Sequence, residues 1–342
     1  MADVPETPGS AGESDGSAVD VGIPTYGAPR YLAEAIESVL AQTHVDFRLV
    51  ISEDGPGSND VTAVVAPYLA DPRVAYRTTG SRVGAAANLT SLLQSGDAPY
   101  VAILHDDDRW EPGFLAARLT FLSRHDECGL VFSANTEIDD RGATTGRSNF
   151  ELPEGSYPPA DFVPILLRRN VICAPTVVVR RSAYDAVGPT FDERFPVMYD
   201  YDMWMRIALR FSVGFLVRCD ASYRRHDKQT TFRVPHMGKE WLRLLDHFER
   251  LVAVQAPGLQ IQDRRRSGAY LSAALDEIEH RRRRDAWRLL RSGIRLYPPS
   301  LLDPRFWAAI VSLALGPFGP PPLARTRRLV HRRGIRPHVR AW

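Results

Sequence analysis

From residue 17 to residue 133 short apolar runs alternate with stretches of helical spacing, a pattern that restricts this chain to a mostly parallel sheet with crossover helices. Residues 18–23 read as a strand ending at Pro24-Thr25-Tyr26, after which Leu32, Ile36, Val39 and Leu40 recur at helical spacing. A second strand over residues 47–52 closes with Glu53-Asp54-Gly55. A helix over 60–69, a strand over 74–77 and a helix over 84–94 then lead to the strand Tyr100-Val101-Ala102-Ile103-Leu104. That strand runs into His105-Asp106-Asp107-Asp108 and Arg109-Trp110-Glu111-Pro112, where proline suits the first turn of another helix. Strands that run in parallel place Asp54 and the acidic run on one sheet edge, the carboxyl edge, where open α/β sheets bind ligands. Three adjacent carboxylates repel one another unless a cation sits among them. Hard oxygen ligands in that place favour Mg²⁺ or Mn²⁺ carrying substrate phosphates. The competing explanation is a solvated acidic turn that caps the next helix.

After residue 133 the pattern loosens. Residues 134–160 carry many Gly, Pro, Thr and Asn, which predicts hairpins and a mobile loop. A strand over 174–180, a short helix opening at Ser182, a helix over 203–211 and a strand over 214–217 follow. Beyond residue 234 the chain reads as helices only, with Trp241, Leu244, Leu245 and Phe248 at helical spacing. The expected division is a disordered segment over 1–17, an α/β domain over 18–232 and a basic, mostly helical region over 233–342. Net charge is +2, but residues 221–342 hold 25 Lys or Arg against 10 Asp or Glu, and the rest hold 18 against 31. The two parts therefore face different partners. Cys128, Cys173 and Cys219 are widely spaced and follow no metal-ligand pattern, which reads as reduced, mostly buried thiols in a cytoplasmic protein. No charged and apolar leader opens the chain, and its longest apolar stretch, residues 306–315, falls short of the ~20 residues a membrane span needs.

Seven stretches, in order, resemble the inverting family 2 glycosyltransferases of the GT-A fold. They are Val21-Gly22-Ile23-Pro24-Thr25-Tyr26 with Ile36-Glu37-Ser38-Val39-Leu40; Ile51-Ser52-Glu53-Asp54-Gly55; Gly84 with Asn88; the acidic run with Trp110 and Pro112; Arg180-Arg181-Ser182 with Val187-Gly188; Asp200-Tyr201-Asp202-Met203-Trp204; and Tyr223-Arg224-Arg225-His226. The resemblance implies a Rossmann-like sheet that binds a nucleotide-diphosphate sugar with Mg²⁺ or Mn²⁺ and transfers the sugar to an acceptor hydroxyl. It implies donor contacts at Pro24, Thr25, Tyr26, Asp54, Arg82, Asn88, His105 and Asp106, with Asp54 accepting from the nucleobase. Asp107, Asp108 and His226 are implied as metal ligands, and Asp200 as the general base. Where the family motif begins with Asp, this chain has His105; where a Glu precedes the base, it has Tyr199. Asp202 is expected to cap the helix that follows, Trp110 and Trp204 to anchor the core, and Arg224 and Arg225 to flank a phosphate-facing loop.

Transfer from a UDP, GDP or dTDP sugar to a glycan or lipid-linked acceptor in cell-envelope polysaccharide, glycolipid or antigen synthesis is the expected activity. Abundant Arg beside scarce Lys suggests a GC-rich bacterial genome. Arg264–Arg266, Arg281–Arg284 and the Arg run from Arg325 to Arg336, beside the apolar residues 306–311, fit peripheral attachment to an anionic membrane. A helical appendage with a solvated Arg face is the other explanation. Nucleic acid is disfavoured, because no known binding module or interleaved aromatic pattern accompanies the basic runs. Two further alternatives are an inactive sugar-nucleotide binder and a nucleotidyltransferase, and residues 21–30 lack the Gly-rich phosphate loop that the latter would show.

Overall fold

In the computed structural model the described residues are 17–27, 29–148, 152–226, 229 and 237–315. The chain starts with β1 (Val19–Thr25), which pairs in parallel with β2 (Phe47–Glu53) on one side and β4 (Tyr100–Ile103) on the other. Such near-continuous Val/Ile/Leu runs are what a strand covered on both faces requires. The remaining strands of this sheet are β3 (Val74–Thr78), β6 (Cys128–Ser133), β9 (Gly155–Tyr157), β10 (Val178–Arg180) and β11 (Ser212–Leu216). Their order is β3-β2-β1-β4-β10-β6-β11-β9, with β10 antiparallel to β4 and β6, and β9 antiparallel at the edge. A second, smaller sheet joins β5 (Arg109–Trp110), β12 (Ala221–Arg224), β7 (Thr136–Ile138) and β8 (Thr144–Arg147). Helices α1 (Leu32–Leu40), α2 (Asn59–Val65), α3 (Ala85–Leu93), α4 (Phe114–Leu122), α5 (Pro159–Arg168), α6 (Arg181–Val187) and α7 (Tyr199–Ala208) complete this mixed α/β fold.

Several boundaries differ from the expectation. Residues 134–160 hold β7, β8, β9 and the start of α5, whose Pro159 occupies the first helical turn, where a missing N–H costs nothing. The predicted strand over 174–180 is a 3₁₀ turn at Ala174–Thr176 followed by the shorter β10. Pro112 precedes α4, which starts after Gly113. Helix α7 begins at Tyr199, before residue 203, because Asp200 and Asp202 in its first turn complement the positive end of the helix. Asp202 therefore lies inside the helix instead of capping it. Cys128 is buried, Cys173 and Cys219 are half-buried, and all three are free thiols.

The C-terminal region is built from α8 (Met237–Gln255), α9 (Asp263–Glu279), α10 (Arg283–Leu296) and α11 (Pro304–Leu315). Leu244, Leu245, Phe248 and Val252 of α8 belong to the same buried cluster as Tyr201 and Trp204 of α7, so the core continues across the boundary expected near 232. That boundary itself lies outside the described residues. A separate cluster of Leu271, Ala274, Leu290, Phe306 and Ala309 holds α9, α10 and α11 together. Arg265, expected in a cationic surface run, is 3% exposed and donates to the Tyr201 hydroxyl at 2.7 Å. No described helix is long and apolar enough to cross a membrane. Of the segment 1–17 expected to be disordered, residues 1–16 lie outside the described residues, as do the Pro-rich stretch 317–322 and the final Arg run.

The α8–α9 crossing depends on Gly238, where a Cβ would stand 2.1 Å from the backbone nitrogen of Ala273. Gly238→Ala must push two backbones apart and is expected to cost about 1–3 kcal/mol. Urea denaturation reads this as a lower midpoint with an unchanged slope.

Candidate active site

Because β1 lies between β2 and β4, residues at the carboxyl ends of these three strands meet at one edge: Pro24 and Thr25 at the end of β1 with Tyr26 after them, Asp54 after β2, and His105 to Asp108 after β4. Each acid of the run is held by a different partner. Thr25 Oγ1 donates to Asp106 Oδ2 at 2.5 Å. Burial, and then the neighbouring Asp107 charge, push the Asp106 carboxyl up to about 6. Asp107 Oδ2 lies 3.0 Å from His226 Nε2. Burial works against the Asp107 carboxylate, but His226 and His105 outweigh it and hold its pKa below the usual value.

Asp108 is 1% exposed, and its Oδ1 accepts the backbone N–H of Arg224 at 2.8 Å. Burial and then the Asp107 charge raise Asp108 to about 7. Its Oδ2 makes no hydrogen bond and sits 3.8 Å from His105 Nδ1. Burial opposes a charged His105, yet Asp108, Asp107 and Asp200 overcome it and lift the imidazole to about 9. The acids around it therefore favour the protonated form of His105.

Asp200 reaches the same place from α7. It lines one cavity with His105, Ile103, Ala174 and Tyr199. Burial raises its carboxyl to about 6, against the opposing pull of the Tyr201 N–H, which reaches Asp200 Oδ1 at 2.6 Å, and of His105. Asp54 is 6% exposed; its two oxygens accept from Val83 N at 2.7 Å and Gly84 N at 3.0 Å. Gly84 has φ +93°, which favours glycine, so Asp54 and this glycine together shape the loop that starts α3. Arg82, in the same loop, stacks on the exposed Tyr26 ring with its guanidinium carbon 4.3 Å from the centroid. The pair offers a planar, cationic surface on the loops that follow β1 and precede α3.

Not every expected residue faces the edge. Asn88 is 1% exposed and spends its amide on Ser52, accepting from Oγ at 2.6 Å and donating to the backbone oxygen at 2.9 Å. It ties α3 to β2. Arg224 is likewise buried: its Nε donates to the Asp107 carbonyl at 2.8 Å and its guanidinium to Glu34 at 2.5 Å, while Arg225 pairs with Glu137 at 3.2 Å. Arg224 braces the acidic turn and Arg225 the second sheet, where a phosphate-facing loop was expected. Trp110 and Trp204 are buried, in keeping with core anchors.

Sequence reasoning passed over three residues. Tyr31 lies 5.4 Å from the His226 ring, carries Arg224 4.2 Å above its face, and has a buried hydroxyl with no hydrogen bond. Nothing in the local pattern distinguishes it. Glu240 of α8, 2% exposed, accepts the N–H groups of Val197 at 2.9 Å and Met198 at 2.8 Å, just ahead of α7. Arg265 of α9 holds Tyr201, whose hydroxyl also donates to the Leu166 carbonyl. Asp200 is therefore flanked on both sides by contacts from the C-terminal helices.

For a divalent ion, Asp107 Oδ2 and His226 Nε2 form an oxygen and imidazole donor pair at the cleft surface, and the orphaned Asp108 Oδ2 lies in the same turn. Such a set fits Mg²⁺ or Mn²⁺ completed by water and phosphate oxygens.

A mostly parallel sheet with acids, a base-sized aromatic and a buried carboxylate at its carboxyl edge defines a GT-A nucleotide-sugar transferase architecture. Residues 20–188 match the model of glycosyl transferase family 2, and the chain belongs to that family. An uncharacterised glycosyltransferase of Rickettsia typhi is 26% identical over 69% of this chain and 73% of its own length. One of Methanocaldococcus jannaschii is 26% identical over 57% of this chain and 66% of its own length, so the chain spans about two thirds of that relative. Among solved structures, residues 1–349 of Staphylococcus aureus TarS in complex with UDP superpose with a TM-score of 0.58 at 14% identity, covering 93% of this chain and 92% of that fragment. At that identity the likeness concerns the fold.

Glu240 is both an acceptor for the start of α7 and a charge that raises Asp200. Glu240→Ala leaves two N–H groups without their acceptor and is expected to destabilise the protein by about 1–3 kcal/mol. Glu240→Gln keeps an acceptor and removes the charge; carbon NMR of the Asp200 carboxyl should then report titration at lower pH than in the wild type.

Proposed function

We propose that the protein is an inverting, metal-dependent glycosyltransferase that moves a sugar from a nucleotide diphosphate to an acceptor hydroxyl. One observation carries this reading: Asp200, with a carboxyl raised to about 6, shares a cavity with His105, which opens the acidic turn that holds Asp106 and Asp107. A base whose pKa lies near the working pH combines the ionised form with useful basicity. Asp200 takes the proton of the acceptor hydroxyl while that oxygen attacks the anomeric carbon from the face opposite the diphosphate. Asp54 accepts from the base, Arg82 and Tyr26 cover its face, and Thr25 with Asp106 hold the ribose side. Asp107 and His226 hold Mg²⁺ or Mn²⁺, with Asp108 behind them. The ion, when bound, neutralises charge gained by the leaving diphosphate. His105, cationic in this setting, adds positive charge between donor and base where relatives carry an acid.

UDP sugars are the first donors to test, since TarS, which shares the fold, has been solved with UDP and with UDP-GlcNAc; GDP and dTDP sugars follow. The acceptor is a glycan or a lipid-linked glycan of the cell envelope, met at the cytoplasmic face of the membrane. One face of α11 supports that placement: Phe306, Ala309 and Leu313 pack inward, while Trp307 (55%), Val311 (51%) and the preceding Leu302 (85%) are exposed beside arginines. Apolar side chains flanked by cations suit an anionic lipid interface.

Asp200→Asn is expected to leave nucleotide-sugar binding within about twofold while lowering turnover by roughly 10²–10⁴-fold. In the wild type turnover should fall as pH drops through about 6, because the base must be ionised to accept a proton; the variant should lose the part of that acid limb set by Asp200 and keep the part set by Asp106 and Asp108. Unimpaired transfer would remove Asp200 from the role; donor binding with no turnover on any acceptor would make the protein a sugar-nucleotide binder. In vesicle flotation the full chain should co-float with phosphatidylglycerol vesicles and not with phosphatidylcholine vesicles, and Trp307→Ser with Val311→Ser should reduce recovery severalfold. Equal recovery on both lipids would discard the membrane reading.

A further inference from the structure

We propose that Asp192, Asp202 and His247 form a second metal site, suited to Zn²⁺, that staples the C-terminal helix α8 to α7 outside the donor cleft. The three residues come from separate elements: Asp192 from the turn that leads to α7, Asp202 from the first turn of α7, and His247 from the middle of α8. Their ligand atoms all lie within 4.8 Å of one another. None of the three lines the cavity at His105 and Asp200, so the proposal does not rest on the sugar-transfer reading.

Proximity alone would not distinguish a metal site from an ion pair. The second observation is an unsatisfied pair of buried atoms. Asp202 is 1% exposed, and its Oδ2 is held by Arg206 Nε at 2.9 Å. Its other oxygen, Oδ1, points to His247 Nε2 at 3.0 Å, yet neither atom makes a hydrogen bond. Two buried lone-pair atoms at that separation, without hydrogen-bonding angles, are arranged as ligands of a common centre. Bonds of about 2.0–2.2 Å in tetrahedral geometry place donor atoms about 3–3.5 Å apart. Two carboxylates and one imidazole, with water in the fourth position, are an ordinary zinc donor set.

The surroundings supply what a metal site needs beyond its ligands. Arg206 fixes the outer oxygen of Asp202, and Phe195 stands 5.5 Å from the His247 ring, limiting its rotation. Both oxygens of Asp192 accept from the Arg194 guanidinium, Oδ1 at 3.0 Å and Oδ2 at 2.5 Å, and Arg194, 63% exposed, must release them when a cation enters. Bound there, the ion would join the first turn of α7 to α8, seven residues beyond Glu240, which already holds the approach to that turn.

The test uses tag-free full-length protein carrying Asp107→Ala, so that the donor-cleft pair cannot report. After chelator treatment and desalting, added Zn²⁺ should raise the melting temperature by roughly 5 °C or more at saturating concentration. Elemental analysis should find about one zinc per chain, and Co²⁺ in its place should show the intense visible bands of a tetrahedral site. Adding His247→Gln or Asp192→Asn, both at partly exposed positions, should abolish the shift, the bound zinc and the bands, while circular dichroism confirms that the metal-free fold is kept. Loss of all three signals in both variants supports the site. No Zn²⁺-dependent shift in the parent, or a shift that persists undiminished in both variants, overturns it and leaves an ordinary imidazolium–carboxylate pair.

Discussion

Crowding of like charge at the end of β4 is the constraint around which this molecule is organised. Four ionisable side chains stand in consecutive positions, and burial strengthens every repulsion among them. The fold answers each carboxylate differently: a hydroxyl from β1 for Asp106, an imidazole for Asp107, a main-chain N–H from β12 for Asp108. Two of the acids remain pushed toward protonation and one toward ionisation. The turn is thereby poised to take up positive charge, and the second sheet serves chiefly to hold it. Arg224, buried between Glu34 and the Asp107 carbonyl, links α1, β12 and the turn in a single brace.

The same principle extends to α7. Asp200 is raised by burial and lies within the influence of cationic His105, so the acidic turn and the buried carboxylate on α7 titrate in one another's field. Substituting His for the acid that opens the family motif thus changes the electrostatics of the whole cleft. What holds Asp200 in that field comes from the far end of the chain: Glu240 in front of the helix, Arg265 on Tyr201, the next residue, and His247 beside Asp202. The C-terminal helices are structural members of the cleft, and their arginines are in part interior residues.

Much of this was legible beforehand. The alternation of strand and helix signals, the shared edge of Asp54 and the acidic run, and the order of family motifs all correspond to what the sheet contains, since a buried parallel strand leaves a continuous apolar run that local reading detects. In the stretch 134–160 the hairpin signal corresponds to β7 and β8, while β9 and the start of α5 were not legible, because β9 is three residues long and half exposed and the helix was signalled only by Pro159. Asn88 and Arg224 illustrate a different failure. A motif position tells that a residue is needed, but not whether it meets a ligand or, as these do, another part of the chain.

By itself the amino-acid sequence determined the class of sheet, the edge on which chemistry would sit and the acids that populate it, because hydrophobic period and strand ends are local properties. Only the tertiary structure decided which of those acids face the cleft, what charge each prefers, and that Glu240, Arg265 and His247, between about 40 and 65 residues further along the chain, frame the helix of Asp200. Burial and pairing arise from contacts between segments distant in sequence, and a carboxylate has no definite pKa until those contacts exist.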